Sequence, residues 1–216
     1  MDANTILKIT IYALPLIFAI TLHEAAHAFA AKRFGDSTAF MLGRMTLNPI
    51  KHIDPIWTIL VPLLLVLFHS PFVFGAAKPV PVNFGALRNP KRDMIWVAAA
   101  GPMANLAMMV GWGIIGKIGL SLPLGMASDY AVLVAQAGIE VNALLMVFNL
   151  IPLLPLDGGR ILMGFLPGKL AYSFSRTEPY GMFIVVLLLM THVLDAFLWP
   201  LVALSMKSIY AIIGLT

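Results

Sequence analysis

Two histidines and a glutamate lie together in the pentapeptide His23-Glu24-Ala25-Ala26-His27. On a helix, side chains four residues apart lie on one face, so His23 and His27 can bind the same metal ion. Glu24 lies beside them, where its carboxylate can take a proton from an attacking water. A catalytic zinc usually has three protein ligands and one open position, so this pattern requires a third ligand from elsewhere in the chain.

Asp157 is the candidate third ligand because of the residues around it. The apolar segment before it contains Pro152 and Pro155, which disrupt helical hydrogen bonding. Gly158 and Gly159 follow it and permit close approach of the backbone. These residues predict an unwound helix end that directs Asp157 into the protein at the depth of the two histidines. A helix stop followed by an Asp-Gly turn is the alternative interpretation.

The composition predicts an integral membrane protein. Of the 216 residues, 60% are hydrophobic and 11% are charged, whereas soluble domains carry about 25% charged residues. This composition excludes a soluble zinc protease. The absence of cysteine excludes disulfides and thiolate ligands. Because apolar segments run from end to end, we expect a single domain over residues 1–216, with a core at about 6–160 and C-terminal helices at about 180–216.

Four apolar segments are long enough to cross a membrane, which takes about 20 residues as a helix. They are residues 6–31, 94–118, 130–154 and 180–198. The first is expected to be a retained helix and not a signal peptide. Pro200 is expected to end the fourth, and the apolar stretch up to residue 216 either spans the membrane or lies at its surface. The fold class is therefore an all-α polytopic membrane protein.

The basic residues indicate how the chain crosses the membrane. Most of the 14 Lys and Arg residues lie in the loops 32–51, 78–92 and 160–176, and the loop 121–129 has none. The positive-inside rule places the three basic loops on the cytoplasmic side. The net charge of +4 is thus explained by topology, and no nucleic-acid partner is expected.

The proline-broken apolar segment 56–74 lies between two of these basic loops. If both loops are cytoplasmic, the segment cannot cross the membrane once, and we predict a re-entrant or hairpin segment that protein or water must cover. An ordinary span with one loop on the other side is the alternative.

Residues 78–83, Lys-Pro-Val-Pro-Val-Asn, predict a short extended or β strip on the cytoplasmic side. Its prolines cannot donate ladder hydrogen bonds, so the strip can only be an edge. Pro81, Val82 and Asn83 are candidate substrate contacts, through addition of an unwound substrate as a β-strand. A plain loop is the alternative interpretation.

Amides and one carboxylate also lie within the predicted spanning helices. Asn105 and Asn142 are candidates for structural hydrogen bonds between helices. Glu140 is expected to reach the membrane surface or to pair with Lys117.

Together these motifs resemble those of the site-2 protease family of intramembrane metalloproteases. HEAAH matches the family's H-E-x-x-H helix, NLIPLLPLDGGR matches its N-x-x-P-x-x-P-x-D-G element, and AGPMANL matches the G-P-x-x-N helix between them. GRMTLNPIKHIDP and AKPVPVN look like the short bacterial branch, which has no PDZ or CBS domain. The resemblance covers about residues 22–160.

The resemblance implies one zinc ion per chain, bound by His23, His27 and Asp157, with Glu24 as the general base. It implies that Asn149 orients the substrate or stabilises the oxyanion. It further implies an endopeptidase of the cell membrane that cuts transmembrane protein substrates in regulated intramembrane proteolysis, with its active site toward the cytoplasm.

Two other functions are compatible with the residues. A transporter or channel also uses His, Glu and Asp within a membrane, but the chain has no evident inverted repeat, and Glu24 is redundant for simple binding. A catalytically inactive relative acting as a membrane scaffold is the second alternative, and the complete set of candidate ligands argues against it.

Overall fold

A computed structural model of the chain describes residues 3–61, 64, 67, 78–123 and 125–214. In chain order, the α-helices of these residues are α1 (Ala3–Arg33), α2 (Thr38–Met41), α3 (Pro90–Ser121), α4 (Met126–Asn149), α5 (Asp157–Phe165), α6 (Gly168–Ser175), α7 (Glu178–Met190) and α8 (Asp195–Ile213). The connection between α1 and α3 contains two 3-10 turns, Pro49–His52 and Phe84–Ala86, and a π-helical segment, Pro55–Leu60.

Helices α1, α3, α4 and α8 are long and apolar enough to cross a membrane. Helix α7 is apolar but shorter. Within the described residues, the expectation of helices without strands, about four of them long and apolar enough to cross a membrane, is therefore confirmed.

The centre of the fold is a three-helix bundle of α1, α3 and α4, which contact one another more than any other elements do. Small side chains of α1, among them Ala25 and Ala28, are buried in it and allow the helices to approach closely. The N–H of Arg88, just before α3, donates to the carbonyl of Phe34, just after α1, over 3.0 Å. The C-terminal end of α1 and the N-terminal end of α3 therefore lie on the same side of the bundle.

The fourth spanning helix differs from the prediction. A helix over residues 180–198 that ends before Pro200 is wrong: α7 ends at Met190, and α8 continues through Pro200. The break lies at His192, whose φ is +57° and whose Nδ1 lies 2.7 Å from Asp195 Oδ2. Asp195 in the first turn favours a helix start there. Pro200 has no N–H to donate, but a proline inside a membrane helix is tolerated when neighbouring groups satisfy the freed carbonyl.

Helix α8 packs on α3 and α4 through apolar side chains. Met109 of α3, Ile139 of α4, and Val202 and Ile209 of α8 belong to one buried cluster. The described part of the last apolar stretch thus belongs to α8, a helix long and apolar enough to cross a membrane, which packs on α3 and α4.

The predicted β strip at residues 78–83 is wrong as secondary structure, since neither these residues nor any others within the described ranges form a strand. The N–H groups of the strip pair with isolated acceptors and not with a neighbouring strand. Lys78 N–H donates to the carbonyl of His52, and Asn83 N–H donates to Asp36 Oδ2. The strip is an irregular segment held at both ends.

The predicted re-entrant segment, residues 56–74, falls largely outside the described residues, which end at 61 apart from 64 and 67 and resume at 78. The described residues do not support a re-entrant course.

The predicted pairing of Glu140 with Lys117 is wrong. The hydroxyl of Tyr12, on α1, donates to Glu140 Oε2 over 2.6 Å. Lys117 Nζ instead donates to the carbonyl of Ile213, at the end of α8, over 2.7 Å. Each group pairs with a different helix, so Glu140 joins α1 to α4 and Lys117 joins α3 to α8.

Candidate metal centre

His23 and His27 lie one turn apart on α1, and both are buried against α3. Their Nε2 atoms are 3.1 Å apart. The four-residue spacing places both side chains on one face of the helix, as the sequence pattern predicts.

Asp157 is the first residue of α5 and follows an irregular segment after the end of α4. The backbone of this segment lies against α5 so closely that a Cβ on Gly158 would overlap the backbone of Leu150 and Ile151. Glycine is therefore required for the segment to fold back and turn Asp157 toward α1. Its Oδ2 lies 3.3 Å from His23 Nε2, and its Oδ1 lies 3.4 Å from His27 Nε2.

These three side chains could hold a zinc ion. Their ligand atoms all lie within 4.8 Å of one another. A tetrahedral zinc with bonds of about 2.0–2.2 Å would place its ligands about 3.3–3.6 Å apart. The two Nε2 atoms are 3.1 Å apart, and each lies near one oxygen of Asp157, His23 at 3.3 Å from Oδ2 and His27 at 3.4 Å from Oδ1. Asp157 Oδ2 is buried and has no hydrogen-bond partner in the described structure, as expected of an atom reserved for a metal. The donor set fits zinc.

The hydrogen bond made by Nδ1 of each histidine orients the ring so that Nε2 faces the site. His27 Nδ1 lies 2.7 Å from the carbonyl of Val97, which can only accept, so Nδ1 donates a proton to it. His23 Nδ1 lies 2.6 Å from Asn105 Oδ1. In neutral rings of this kind both Nε2 atoms carry a lone pair. Two lone pairs 3.1 Å apart repel each other unless a cation lies between them.

Gly101 of α3 lies against the two imidazole rings. A Cβ on Gly101 would overlap both rings, so no larger residue leaves room for them. Sequence analysis assigned no role to this glycine, although it is the first residue of the G-P-x-x-N motif. The motif was the one sequence feature that could have drawn attention to Gly101.

Glu24 is half-buried beside the histidines, and its Oε2 accepts a hydrogen bond of 2.7 Å from the N–H of Val80. Together with His23, His27 and Asp157 it lines a cavity of about 630 Å³. The contact with Val80 could not be found in the sequence, because it is made by a backbone group.

The other predicted site residues divide into those that reach the cavity and those that do not. Asn149 and Val82 line it, whereas Pro81 and Asn83 do not. Asn149 Nδ2 donates to the carbonyl of Leu145, one turn earlier in α4. Asn83 Oδ1 accepts from Gly85 N–H and caps the turn Phe84–Ala86.

Asn105 and Asn142, predicted as structural amides, are fully buried between the helices of the bundle. Asn105 Nδ2 donates to Asn142 Oδ1 over 2.9 Å. Asn105 also contacts His23 directly, so it lies closer to the candidate metal centre than a packing role requires.

Arg160 is a further residue of the cavity wall that sequence analysis did not single out. Its Nη2 lies 2.7 Å from Glu178 Oε1, and its guanidinium lies 4.8 Å from the centre of the Phe84 ring. Arg160 thus connects α5, α7 and the turn after the strip at one wall of the cavity.

The chain is 35% identical over 198 residues to a protein of Bacillus subtilis named "Putative zinc metalloprotease YwhC", an alignment that covers 90% of this chain and 86% of the relative. It is 31% identical over 195 residues to a Mycolicibacterium smegmatis protein named "Putative zinc metalloprotease Rip2", covering 86% of this chain and 69% of the relative. A protein of the same name in Mycobacterium tuberculosis is 26% identical over 190 residues, with the same coverage.

No family profile matches the chain, and no solved structure matches it. The relatives nevertheless align with most of the chain. The chain belongs to the site-2 protease family of zinc metalloproteases.

Proposed function

We propose that this chain is a zinc-dependent endopeptidase that hydrolyses peptide bonds in or next to the transmembrane segments of membrane proteins. The main support is the position of the candidate ligands. His23, His27 and Asp157 converge between helices that are apolar and long enough to cross a membrane. They open onto a cavity of about 630 Å³, large enough for a short length of unwound chain.

His23 and His27, through Nε2, and Asp157, through its carboxylate, would hold one zinc ion per chain. Bound there, zinc would polarise the scissile carbonyl and lower the pKa of a water molecule. Helix α1 and the glycine-lined turn before α5 hold the ligands in place, and the contacts of Nδ1 with Asn105 and Val97 orient the two rings.

Glu24 would act as the general base, taking a proton from the attacking water and passing it to the leaving amine. The hydrogen bond from Val80 N–H occupies Oε2. Oε1 is then the oxygen that exchanges the proton, and the bond restrains the carboxylate in the orientation that this transfer needs.

The strip 78–83 would contact the unwound substrate beside the site. Lys78, Val80 and Asn83 donate their N–H groups within the protein, and Pro79 and Pro81 have none. This leaves the N–H of Val82, whose side chain also lines the cavity, to pair with a substrate carbonyl. Asn83, held by Asp36 and by the turn that it caps, and Pro81 would act by restraining the course of the strip.

Asn149 would orient the substrate or stabilise the oxyanion from the opposite wall. It lines the cavity, and its amide nitrogen is held by the carbonyl of Leu145. The side chain is therefore restrained next to the reacting groups.

We place the protein in the cell membrane with its site toward the cytoplasm. Lys32 and Arg33 form the last turn of α1, about one and a half turns beyond His27. The basic residues Lys91 and Arg92 begin α3 on the same side of the bundle. The positive-inside rule assigns this side to the cytoplasm, and water would reach the site from there.

Reconstitution of the purified chain in liposomes with a model transmembrane substrate tests the proposal. We expect about one zinc per chain, cleavage of the substrate, and loss of cleavage with a chelator. Glu24→Gln should keep the zinc and lose cleavage. Cleavage by Glu24→Gln at the wild-type rate would refute the mechanism, and a chain that binds zinc but cuts none of a panel of transmembrane substrates would favour the non-catalytic scaffold.

A further inference from the structure

A line of buried hydrogen bonds runs from His23 across the bundle to α4. His23 Nδ1 lies 2.6 Å from Asn105 Oδ1, and Asn105 Nδ2 lies 2.9 Å from Asn142 Oδ1. Asn142 Nδ2 lies 2.8 Å from the carbonyl of Gly138. Both asparagine side chains are inaccessible to solvent, so water cannot replace any of these bonds.

The donor and acceptor of every bond in this line follow from the carbonyl of Gly138, where the line ends. A backbone carbonyl only accepts, so Asn142 must present its NH₂ group to Gly138 and its oxygen to Asn105. Asn105 must then present its NH₂ group to Asn142, and the same group also lies 3.5 Å from the carbonyl of Ala19. The Asn105 oxygen is left facing His23, and an oxygen without a hydrogen accepts only from a protonated Nδ1.

We infer that Asn105 and Asn142 are positioning residues that hold a proton on His23 Nδ1 and so leave Nε2 as the ring nitrogen that faces Asp157 and can bind the metal. This inference rests on the proposed function, since it assigns these residues to the zinc site. Asn142 acts through Asn105 and not on a metal ligand directly, because its role is to set the orientation of the Asn105 amide.

The two histidines differ in how their orientation is secured. His27 relies on the backbone carbonyl of Val97, which no side-chain substitution removes. His23 relies on an amide, which can rotate and present NH₂ in place of oxygen. A rotated Asn105 would require an unprotonated Nδ1, move the proton to Nε2 and remove the lone pair that zinc needs. A polar group is therefore required at position 142 to prevent that rotation.

A role in helix packing alone would predict something different. Packing needs a side chain of suitable volume with paired polar atoms, and it does not depend on the direction in which the amides point. Leucine has the same number and branching of side-chain heavy atoms as asparagine. The positioning role predicts that leucine at either position disturbs His23 and zinc affinity beyond any change in thermal stability.

The direct test is ¹⁵N NMR of histidine-labelled, metal-free full-length protein in lipid, with the His23 signals assigned from the His23→Gln variant. In the wild type we expect His23 to be protonated at Nδ1. Asn142→Leu should give a mixture of tautomers. Gln136→Leu, which removes an exposed amide from the same helix, should leave the His23 signals unchanged.

Zinc affinity, measured by chelator competition, gives a second readout. Asn105→Leu should lower it about 10- to 100-fold, the usual effect of losing the partner of a metal-bound histidine. Asn105→Asp, which keeps an acceptor for Nδ1–H, should recover most of that loss even if its melting temperature falls.

Three results would overturn the inference. They are a wild-type His23 without a proton on Nδ1, an unchanged His23 tautomer in Asn142→Leu, and equal losses of zinc affinity in Asn105→Leu and Asn105→Asp. A wild-type chain with the expected tautomer but no affinity for zinc would instead overturn the proposed function and leave the positioning of His23 intact.

Discussion

The backbone N–H of Val80 donates a hydrogen bond of 2.7 Å to Oε2 of Glu24, which lies 56 residues earlier in the chain. The contact joins the connection between α1 and α3 to the carboxylate proposed as the general base. The donor is a main-chain group, so a side-chain substitution at Val80 would not remove the bond. The position of Glu24 therefore depends on whatever holds the strip 78–83 in place.

Arg44 holds the first part of this strip. Its Nη2 donates to the carbonyls of Lys78 and Pro79 over 3.0 and 3.3 Å. We expect Arg44→Met to lower kcat/KM about 10-fold, since hydrogen bonds from a charged group are each worth about 1.5–3 kcal/mol and only part of that loss would reach Glu24. Zinc content should not change, because no ligand contacts Arg44.

The control for this prediction is Arg92→Met, which removes the same charge from an exposed position at the start of α3. Peptidase assays of both variants measure kcat/KM, and metal analysis measures their zinc content. Equal losses of activity in the two variants would show that charge, and not the strip, is responsible.

Loss of one candidate ligand should remove zinc. His27→Ala should lower zinc affinity by more than about 100-fold, because loss of an outer partner of a ligand already costs about 10- to 100-fold. His192→Ala is the matched control, since the side chain of His192 is 69% exposed and pairs with Asp195, which is not a candidate ligand. Chelator competition measures both. Wild-type affinity in His27→Ala would exclude His27 as a ligand.

Gly101→Ala should damage the site by steric overlap. The new Cβ would collide with the rings of His23 and His27, so we expect weaker zinc binding and a lower melting temperature. Gly111→Ala on the same helix is the control, because nothing lies within 4 Å of its Cβ. That variant should be unchanged or more stable by up to about 1 kcal/mol. Similar effects of the two substitutions would argue against the overlap.

The fold could be predicted from the sequence where the determining property is local. Hydrophobic length is such a property, so α1, α3 and α4 lie within a few residues of the segments expected for them. The helical period likewise places His23 and His27 on one face. The break before α8 was placed wrongly because Pro200 is a visible signal, whereas the positive φ of His192 and its contact with Asp195 appear only in the structure.

The surroundings of the metal centre were predicted less well, because they depend on contacts between residues far apart in the chain. His27 pairs with the carbonyl of Val97, and Glu24 with the N–H of Val80. Every residue has a carbonyl and nearly every residue has an N–H, so neither contact leaves a trace in residue types. Asn105 has a distinctive side chain, but only the packing of α1 on α3 shows that His23 is its partner.

Asn149 should affect the reaction without affecting the metal. Its amide nitrogen bonds to its own helix, at the carbonyl of Leu145, and its side chain lines the cavity. We expect Asn149→Ala to bind zinc and melt like the wild type, because it removes neither a ligand nor a contact between helices. If the amide stabilises the oxyanion, kcat should fall about 10²- to 10³-fold with little change in KM.

If the Asn149 amide only orients the substrate before reaction, KM should rise instead. Measurement of kcat and KM on the reconstituted substrate separates the two roles that Asn149 is proposed to have. The control is Asn48→Ala, which removes an amide that only caps an exposed turn far along the chain from α4. Wild-type kcat and KM in Asn149→Ala would remove Asn149 from the catalytic site and leave the proposed hydrolysis to Glu24 and the three metal ligands.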